Sequence, residues 1–525
     1  MAYDRPGVYV RETPFTSNIT PRAATTAAAF VGTAERGPAT PTLISSWNDY
    51  KAKFGEISNT YDIGYAVYHY FANGGRDAYI SRVLDTTAAS AVVAFSGTVT
   101  GASSAGVLFT LEAASKGAWG NDLTAVITFD QNTLFDPAGT PKVQSTTLFS
   151  LAVNQVRAGS TVEVERWQEL SFDATSSRYF KSVLNLYSSY IKVQGTPAVI
   201  AANSTIAITG IIAGTYAKSL TFASGSDATA PNTVSPDTEW ATAVTNLDLV
   251  NGPLLINLVG QTSSVRVNQA LAYAAARADA FVIIDSALTS TTKVDVQTAI
   301  AGYSTSNGAF GAVYFPALKM YDPSKSGPTA IRDTYTGGAI AGAYVRSENL
   351  RGVAKAPAGY FLDLQNVFGL AATLTDADQG ELYNVNHVNC IRTIAGGGTI
   401  INGARTLSKT RPDKYITIRR TLSFLRVALA DQTQFAVFEP NDERLWSRIK
   451  IALSSNLTDF WAKGNLRGAN PDSAFYIICD ATNNTQSSIE DGYVNIEVGV
   501  ALQYPAEFVV INLTQWAGGN SAGTI

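Results

Sequence analysis

FAVFEP (Phe435–Pro440), AFYIICD (Ala474–Asp480) and YVNIEVGVALQYPAEFVVINLTQ (Tyr493–Gln515) bring the chain to its end as three apolar stretches, each reading as strand. The first dozen residues supply one more. GVYVRE (Gly7–Glu12) sets Val8, Val10 and Glu12 against Tyr9 and Arg11, the alternation of a strand with two unlike faces. Pro6 and Pro14 bracket it and stop it lengthening. The Thr/Pro/Ser segment behind it favours an extended tether, and about twelve such residues span roughly 40 Å. A strand this short needs a partner. The residues leave two open: the sheet of its own C-terminal domain, or that of another chain.

Working back from the end, Leu422, Leu425 and Leu429 mark one helix from Arg419, and Asn441 and Asp442 are cap candidates for a longer one through about Lys463. In the longer helix Leu445, Ile449, Leu453, Leu457 and Phe460 form a stripe at three- and four-residue spacing, which buries against a sheet. Strand, long helix, strand and two antiparallel strands predict a small α+β sandwich with an edge able to accept more strands. Pro505 separates Tyr493–Tyr504 from Ala506–Thr514, either as a hairpin or as the start of a second arm; we expect the arm.

The rest of the chain changes rhythm twice. Residues 27–84 and 238–403 alternate strands and helices: AAAFVG, a helix over Tyr61–Asn73 and AYISRVL in the first stretch; PLLINLVG, a helix, FVIIDSA, a helix and GAVYFPAL in the second. That order predicts a partly parallel sheet with helices on its faces. In TGGAIAGAYVRSEN the small residues Gly338 and Gly342 permit close helix packing. Between the two stretches, residues 85–237 are rich in Ser, Thr, Gly and Val, with short alternating strands and one helix over Thr175–Tyr190, the pattern of an inserted all-β domain. The expected division is an arm (1–26), an α/β body in two pieces (27–84 and 238–403), the β-rich insertion (85–237), the α+β domain (404–515) and a loose tail (516–525). The fold class is α/β and α+β multidomain.

At 525 residues the chain exceeds a single core. Only 15% of residues are charged, so its surface is largely Ser, Thr, Asn and Gly, which suits a protein packed against copies of itself. A net charge of −4 argues against a nucleic-acid partner. No apolar run reaches membrane-spanning length, and MAYDRPGVYV lacks the features of a secretory signal. Cys390 and Cys479 read as buried free thiols.

Searches for chemistry return little. His69 and His387 are the two histidines, so a Ser/His/Asp triad has few ways to form, and His69 reads as a packed residue. No G-x-x-x-x-G-K-[ST] loop occurs, and GGGTIING (Gly396–Gly403) reads as a flexible turn. TDADQGE (Thr375–Glu381) fails as a calcium loop; Thr375 reads as a helix cap with Asp376 and Asp378 in the first turn. Asp285 ends a buried strand, where α/β enzymes place acids, but no partner is visible. The expectation is no catalytic residue, no metal and no cofactor; a soluble α/β enzyme with an accessory β domain is the competing class.

Taken together, PGVYVRE, FVGTAERGP, SWNDYKAKFG, GGRDAYISRV, SKGAWGNDL, YAAARADAFVIIDSA, IAGAYVRSENLRGVAKAPAG, VNCIRTIAGGGTIINGARTLS, YITIRRTLSFL, FAVFEPNDERLW and PAEFVVINLTQ resemble, in order, the tail sheath proteins of contractile bacteriophages, related to the sheaths of contractile bacteriocins and injection systems. The resemblance implies an inner α+β domain carrying both termini, its sheet completed by strands from neighbouring subunits. Carried onto this sequence, the donated N-terminal strand is Val8, Tyr9, Val10, Arg11 and Glu12. The C-terminal one contains Phe508, Val509, Val510, Ile511, Asn512 and Leu513, and the receiving sheet contains Phe475, Tyr476, Ile477, Ile478, Val494, Ile496 and Val498. It further implies a helical homo-oligomer around an inner tail tube, with baseplate and tail terminator proteins as partners. Such a sheath is assembled in the host cytoplasm, sits in the virion tail, and contracts to drive the tube through a host envelope for genome ejection.

Overall fold

The computed structural model describes residues 26–508 apart from 100–105, 130–133, 136–140, 145–147, 158, 199–204, 209–215, 229–236, 395 and 397. The strand candidate Val8–Glu12, and Val509–Leu513 of the second, lie outside the described residues. The body is an eight-stranded sheet in the spatial order Thr42–Ile44, Ala78–Arg82, Ala27–Gly32, Leu254–Leu258, Ala280–Ile284, Gly311–Phe315, Val388–Ile394, Gly398–Asn402. The six inner strands run parallel, and each outermost strand pairs antiparallel. These inner strands are near-continuous apolar runs because both faces are covered. Ala28, Phe30, Leu255, Phe281, Ile283 and Tyr314 point to one core, shared with the helices Asp62–Ala72 and Gly337–Arg351. Their sequence neighbours Ala29, Val31, Leu254, Ile256, Val282 and Val313 point to the other, shared with Asp237–Thr245 and Ser264–Arg277. Gly398–Asn402 corrects one expectation: GGGTIING is not simply a flexible turn, since its second half is an edge strand paired with Val388–Ile394.

Residues 85–228 hold a four-stranded and a six-stranded sheet around a common core, in which the rings of Phe95, Phe109, Phe149, Phe172 and Phe180 pack against one another, stacked or edge-on. The helix Phe180–Tyr187 interrupts the strands as expected. At the junction with the body, the buried Arg82 donates to the carbonyls of Ala34, Glu35, Gly37 and Lys116 at 2.9–3.1 Å, so one guanidinium ties the two units together.

His69 is fully buried in the helix Asp62–Ala72, and neither ring nitrogen has a hydrogen-bond partner. Burial pulls its pKa down from 6.5 to about 4, against a smaller opposing pull from Asp322. Folding therefore favours the neutral ring: this contribution to stability is complete above 6.5 and is lost as pH falls from there toward 4. On acidification from pH 7 to 4.5 the wild-type body should lose about 2–3 kcal/mol more than a His69→Leu variant, read by chemical denaturation at both pH values. Equal losses would remove His69 from the account.

The C-terminal unit packs the helices Ile416–Thr433 and Glu443–Ala462 on a two-stranded antiparallel sheet, Phe475–Ile478 with Glu497–Val500. Asp442 caps the second helix, its Oδ1 accepting from Leu445 N at 2.9 Å, and Leu445, Ile449, Leu453, Leu457 and Phe460 are all buried beneath it. Two expected strands are absent. FAVFEP is a 3-10 turn (Gln434–Ala436) followed by a bend in which Phe438 has φ +67° and is fully exposed. The 3-10 turn continues directly from the helix ending at Thr433, and the positive φ at Phe438 turns the chain toward the cap at Asp442, so no extended run forms. Tyr493–Ile496 is not strand either, because side chains take up its backbone. Asn484 Oδ1 accepts from Asn495 N at 2.6 Å, Asn483 and Asn484 each donate to Asn495 O at 3.0 Å, and Asn441 donates to Tyr493 O at 3.0 Å.

Candidate subunit-interaction site

In Phe475–Ile478 and Glu497–Val500 the residues alternate between two faces. Phe475, Ile477, Val498 and Val500 pack toward the helices, against Phe424, Leu425, Leu457 and Phe460. On the opposite face the Tyr476 ring lies across Gly499, where a Cβ would come within 2.0 Å of it, and its hydroxyl donates to Glu497 at 2.8 Å. Val494 and Ile496 extend the helix-facing row, packing with Leu445, Ile449 and Leu453 although they are not in a strand. The expected receiving residues Phe475, Tyr476, Ile477, Ile478, Val494, Ile496 and Val498 thus lie together on one small layer.

Its edges are the notable feature. Ala501 N donates to Ala474 O at 2.8 Å, in phase with the pairs Tyr476–Gly499 and Ile478–Glu497. By the alternation of an antiparallel ladder, Ile477 and Val498 then aim their N–H and C=O groups outward. Among the described residues these groups have no partner. Helix-facing apolar side chains here are only half-buried, unlike those of the main sheet. A two-stranded sheet is marginal by itself, and unpaired edges are templates for further strands.

The chain's own C-terminal segment does not fill either edge as far as it is described. After the bridge between Leu466 and Leu502, it passes Tyr504, which stands edge-on to Tyr415, and reaches the body at Glu507. There Arg405 Nε and Nη2 donate to Glu507 at 2.9 and 2.7 Å, the Tyr383 hydroxyl adds a third bond, and Lys414 Nζ lies 3.9 Å away. Burial alone would raise the Glu507 pKa, but the hydrogen bonds from Arg405 and Tyr383 outweigh it and hold the carboxyl below its ordinary value. A hairpin folded back on Glu497–Val500 is therefore excluded for residues 506–508. Of the expected C-terminal strand Ala506–Thr514, residues 506–508 are described: Glu507 is docked on Arg405 of its own chain, and Phe508 is exposed. Sequence reading missed the Arg405–Glu507 pair. Its partners stand 102 positions apart, and the signal was only a glutamate inside the otherwise apolar PAEFVV.

The ligand crevice of a parallel sheet lies beyond the strand ends where the strand order reverses, here between Ala27–Gly32 and Leu254–Leu258. The N-terminus of the helix Gly337–Arg351 lies beside it, at the ends of the strands Leu254–Leu258 and Ala280–Ile284. The fully buried Asp285 carboxylate accepts from Gly337 N, Thr336 Oγ1 (3.0 Å), Gly260 N (3.3 Å) and Asn257 Nδ2 (3.0 Å) at 2.6–3.3 Å. Burial raises its pKa while these bonds oppose the rise. Asp285 thus anchors a helix end. Thr375 likewise caps the helix Asp376–Asn384 in a reciprocal pair with Asp378. Cys390 and Cys479 are buried and free. Among the described residues no group of three His, Cys, Asp or Glu is placed to hold a metal ion, and no helix is long and apolar enough to cross a membrane.

The described residues thus form a mixed α/β chain of several sheets, ending in a helix-backed two-stranded sheet with open edges. Known proteins share this organisation. Residues 408–515 match the model of the phage tail sheath C-terminal domain. The tail sheath protein of Vibrio phage KVP40 is 27% identical over 178 residues, covering 33% of this chain. The match spans only 25% of that relative's length. Among solved structures, a chain of the anti-feeding prophage baseplate is similar over 98% of this chain and 99% of its own, with TM-score 0.56 at 19% identity. A chain of the PVC extracellular contractile injection system sheath complex in its contracted state gives TM-score 0.54 at 20% identity, over 98% and 99%. The sheath tail protein Lin1278 of Listeria innocua gives 0.57 at 11%, over 88% and 90%. At these identities the structures speak for the fold. With the matched C-terminal domain, they make the chain similar to the sheath proteins of contractile tails and injection systems.

Proposed function

We propose that this protein is the structural subunit of a contractile sheath that polymerises into a helical tube by donating strands between subunits. The observation that carries the reading is the two-stranded sheet: Ile477 and Val498 present unpaired backbone on opposite edges, while the chain's own C-terminal segment leaves that sheet. The two edges match the two strand candidates, Val8–Glu12 and the segment beginning at Phe508. Strand addition supplies backbone hydrogen bonds for affinity and alternate side chains for register. At about 1 kcal/mol net per hydrogen bond against about 1–2 kcal/mol per residue ordered, the backbone alone leaves an arm near neutral. Burial of Val8, Val10 and Phe508 tips the balance, and repetition along a tube multiplies it.

The tube encloses an inner tail tube and ends on baseplate and terminator proteins, as a virion tail or injection device assembled in the producing cell. Contraction is rigid-body movement of the folded units while the strand links persist, driving the inner tube through an envelope. No catalytic step is assigned: Asp285, the acid at a strand end of this sheet, is taken up in anchoring a helix N-terminus.

Outward-facing edge positions tolerate proline without loss of an internal ladder bond, yet proline there blocks a further strand. Val498→Pro and Ile477→Pro should leave a folded monomer, destabilised by about 1–2 kcal/mol through lost packing, and prevent tubes in electron microscopy. Tubes of normal length from both variants would refute edge pairing.

A further inference from the structure

The Arg405–Glu507 contact is more than strand donation requires. The socket around the carboxylate is built from Tyr383, Arg405, Lys414 and Tyr415, all in the body-side stretch before the C-terminal helices. Arg405 is fixed before Glu507 arrives: its Nη1 donates to Tyr383 O at 2.9 Å, its guanidinium lies 4.0 Å from the Tyr383 ring centre, and its backbone N–H is held by Asn389 at 2.8 Å. A buried guanidinium beside a lysine lacks only an anion to complete it. Beyond the Tyr504–Tyr415 ring contact the surrounding segment is loosely seated. An open cavity of about 490 Å³ lies between Tyr504–Phe508 and the stretch Ala354–Gly359, so the segment is held at Glu507 rather than by continuous packing.

We infer that Arg405, Lys414, Tyr383 and Tyr415 form a carboxylate socket, and that Glu507 in it anchors the root of the C-terminal arm to the eight-stranded body. The arm's destination in a neighbouring subunit rests on the proposed function; the anchor does not. The sequence continues from Phe508 to Ile525, enough for a reach of roughly 55 Å when extended. Because the arm leaves from the body, a pull on it is delivered to the parallel sheet through a bidentate, charge-assisted pair. It bypasses the small sheet, which has four residue pairs to resist it. Glu507 is a positioning residue: it sets where the arm starts and what it pulls against.

A nitroxide on Ala506→Cys tests the anchor in the full-length monomer. Ala506 is exposed, and the native Cys390 and Cys479 are buried away from the reagent. The label should be restricted with Glu507 present, and Glu507→Ala should raise its mobile fraction about tenfold or more, since breaking one partner of a buried pair shifts a local equilibrium by at least that factor. Glu507→Gln, which keeps the shape and drops the charge, should fall between. Release opens the socket to water, so the melting of the body should stay as in wild type. An unchanged spectrum in Glu507→Ala would overturn the anchor, and so would a body that melts early, because the pair would then belong to the core. Truncation after Phe508 separates this result from the parent reading. Tubes that still form without residues 509–525 would refute donation of the C-terminal strand and leave the label's report on Glu507 intact.

Discussion

Removing residues 1–15 is expected to abolish tube formation and leave a folded monomer. The described body begins at Thr26, whose hydroxyl donates to Glu348 at 2.8 Å, and at Ala27, whose N–H donates to Pro253 O at 3.2 Å. Both contacts survive the deletion, and no described core residue is lost. What goes is Val8–Glu12 and most of its tether. With the backbone bonds near neutral against the ordering cost, two buried valines leave about 3 kcal/mol per junction, or about a hundredfold in affinity at every subunit contact. A tube requires all its junctions at once, so the loss reads as all or none. Sedimentation and electron microscopy would show monomers, and circular dichroism would show an unchanged melt. Tubes of normal length would contradict the assignment of the arm.

The largest effect on stability is expected at Gly338. The helices Asp62–Ala72 and Gly337–Arg351 meet almost backbone to backbone on one face of the main sheet. A Cβ at Gly338 would stand 2.1 Å from the Ala66 carbonyl oxygen, and one at Gly342 2.4 Å from that of Tyr70. Backbone cannot swing aside as a side chain does, so the helices must part. They would also pull Gly337 N from Asp285, which leaves a buried carboxylate short of a donor. Overpacking costs about 1–3 kcal/mol and the lost bond adds about 1–3 kcal/mol. Gly338→Val should therefore destabilise the body by about 4 kcal/mol and lower its melting temperature visibly, whereas Gly380→Ala, on open surface, should not. Equal melting of the two variants would refute the close approach.

Close packing at Gly338 and Gly342 was legible because small residues at four-residue spacing in a helix have few other uses. The parallel strands were legible because AAAFVG, PLLINLVG and FVIIDSA are apolar on both faces, and the stripe from Leu445 to Phe460 because one helical face repeats. FAVFEP was misread because an apolar run has the same composition whether it is buried or exposed. Phe438 is exposed in the bend between two helices, and the 3-10 turn and its positive φ, which set the chain reversal, are not written in an apolar pattern. YVNI was misread because its hydrogen bonds go to Asn441, Asn483 and Asn484, side chains that a strand pattern does not register. The two-stranded layer of Phe475–Ile478 and Glu497–Val500 was legible as apolar strand pattern. Its open edges were not, since pairing is a property of three-dimensional neighbours. Glu507 was hidden for the same reason: a carboxylate in an apolar run signals a partner without naming Arg405.

Strand donation is tested most directly by cryo-electron microscopy of tubes assembled from the full-length chain, at a resolution that traces side chains. The account predicts an extended strand on each outer edge of Phe475–Ile478 and Glu497–Val500, one of them Val8–Glu12, each connected through its tether to a different subunit. Bare edges, or edges filled by strands of the same chain, would contradict it.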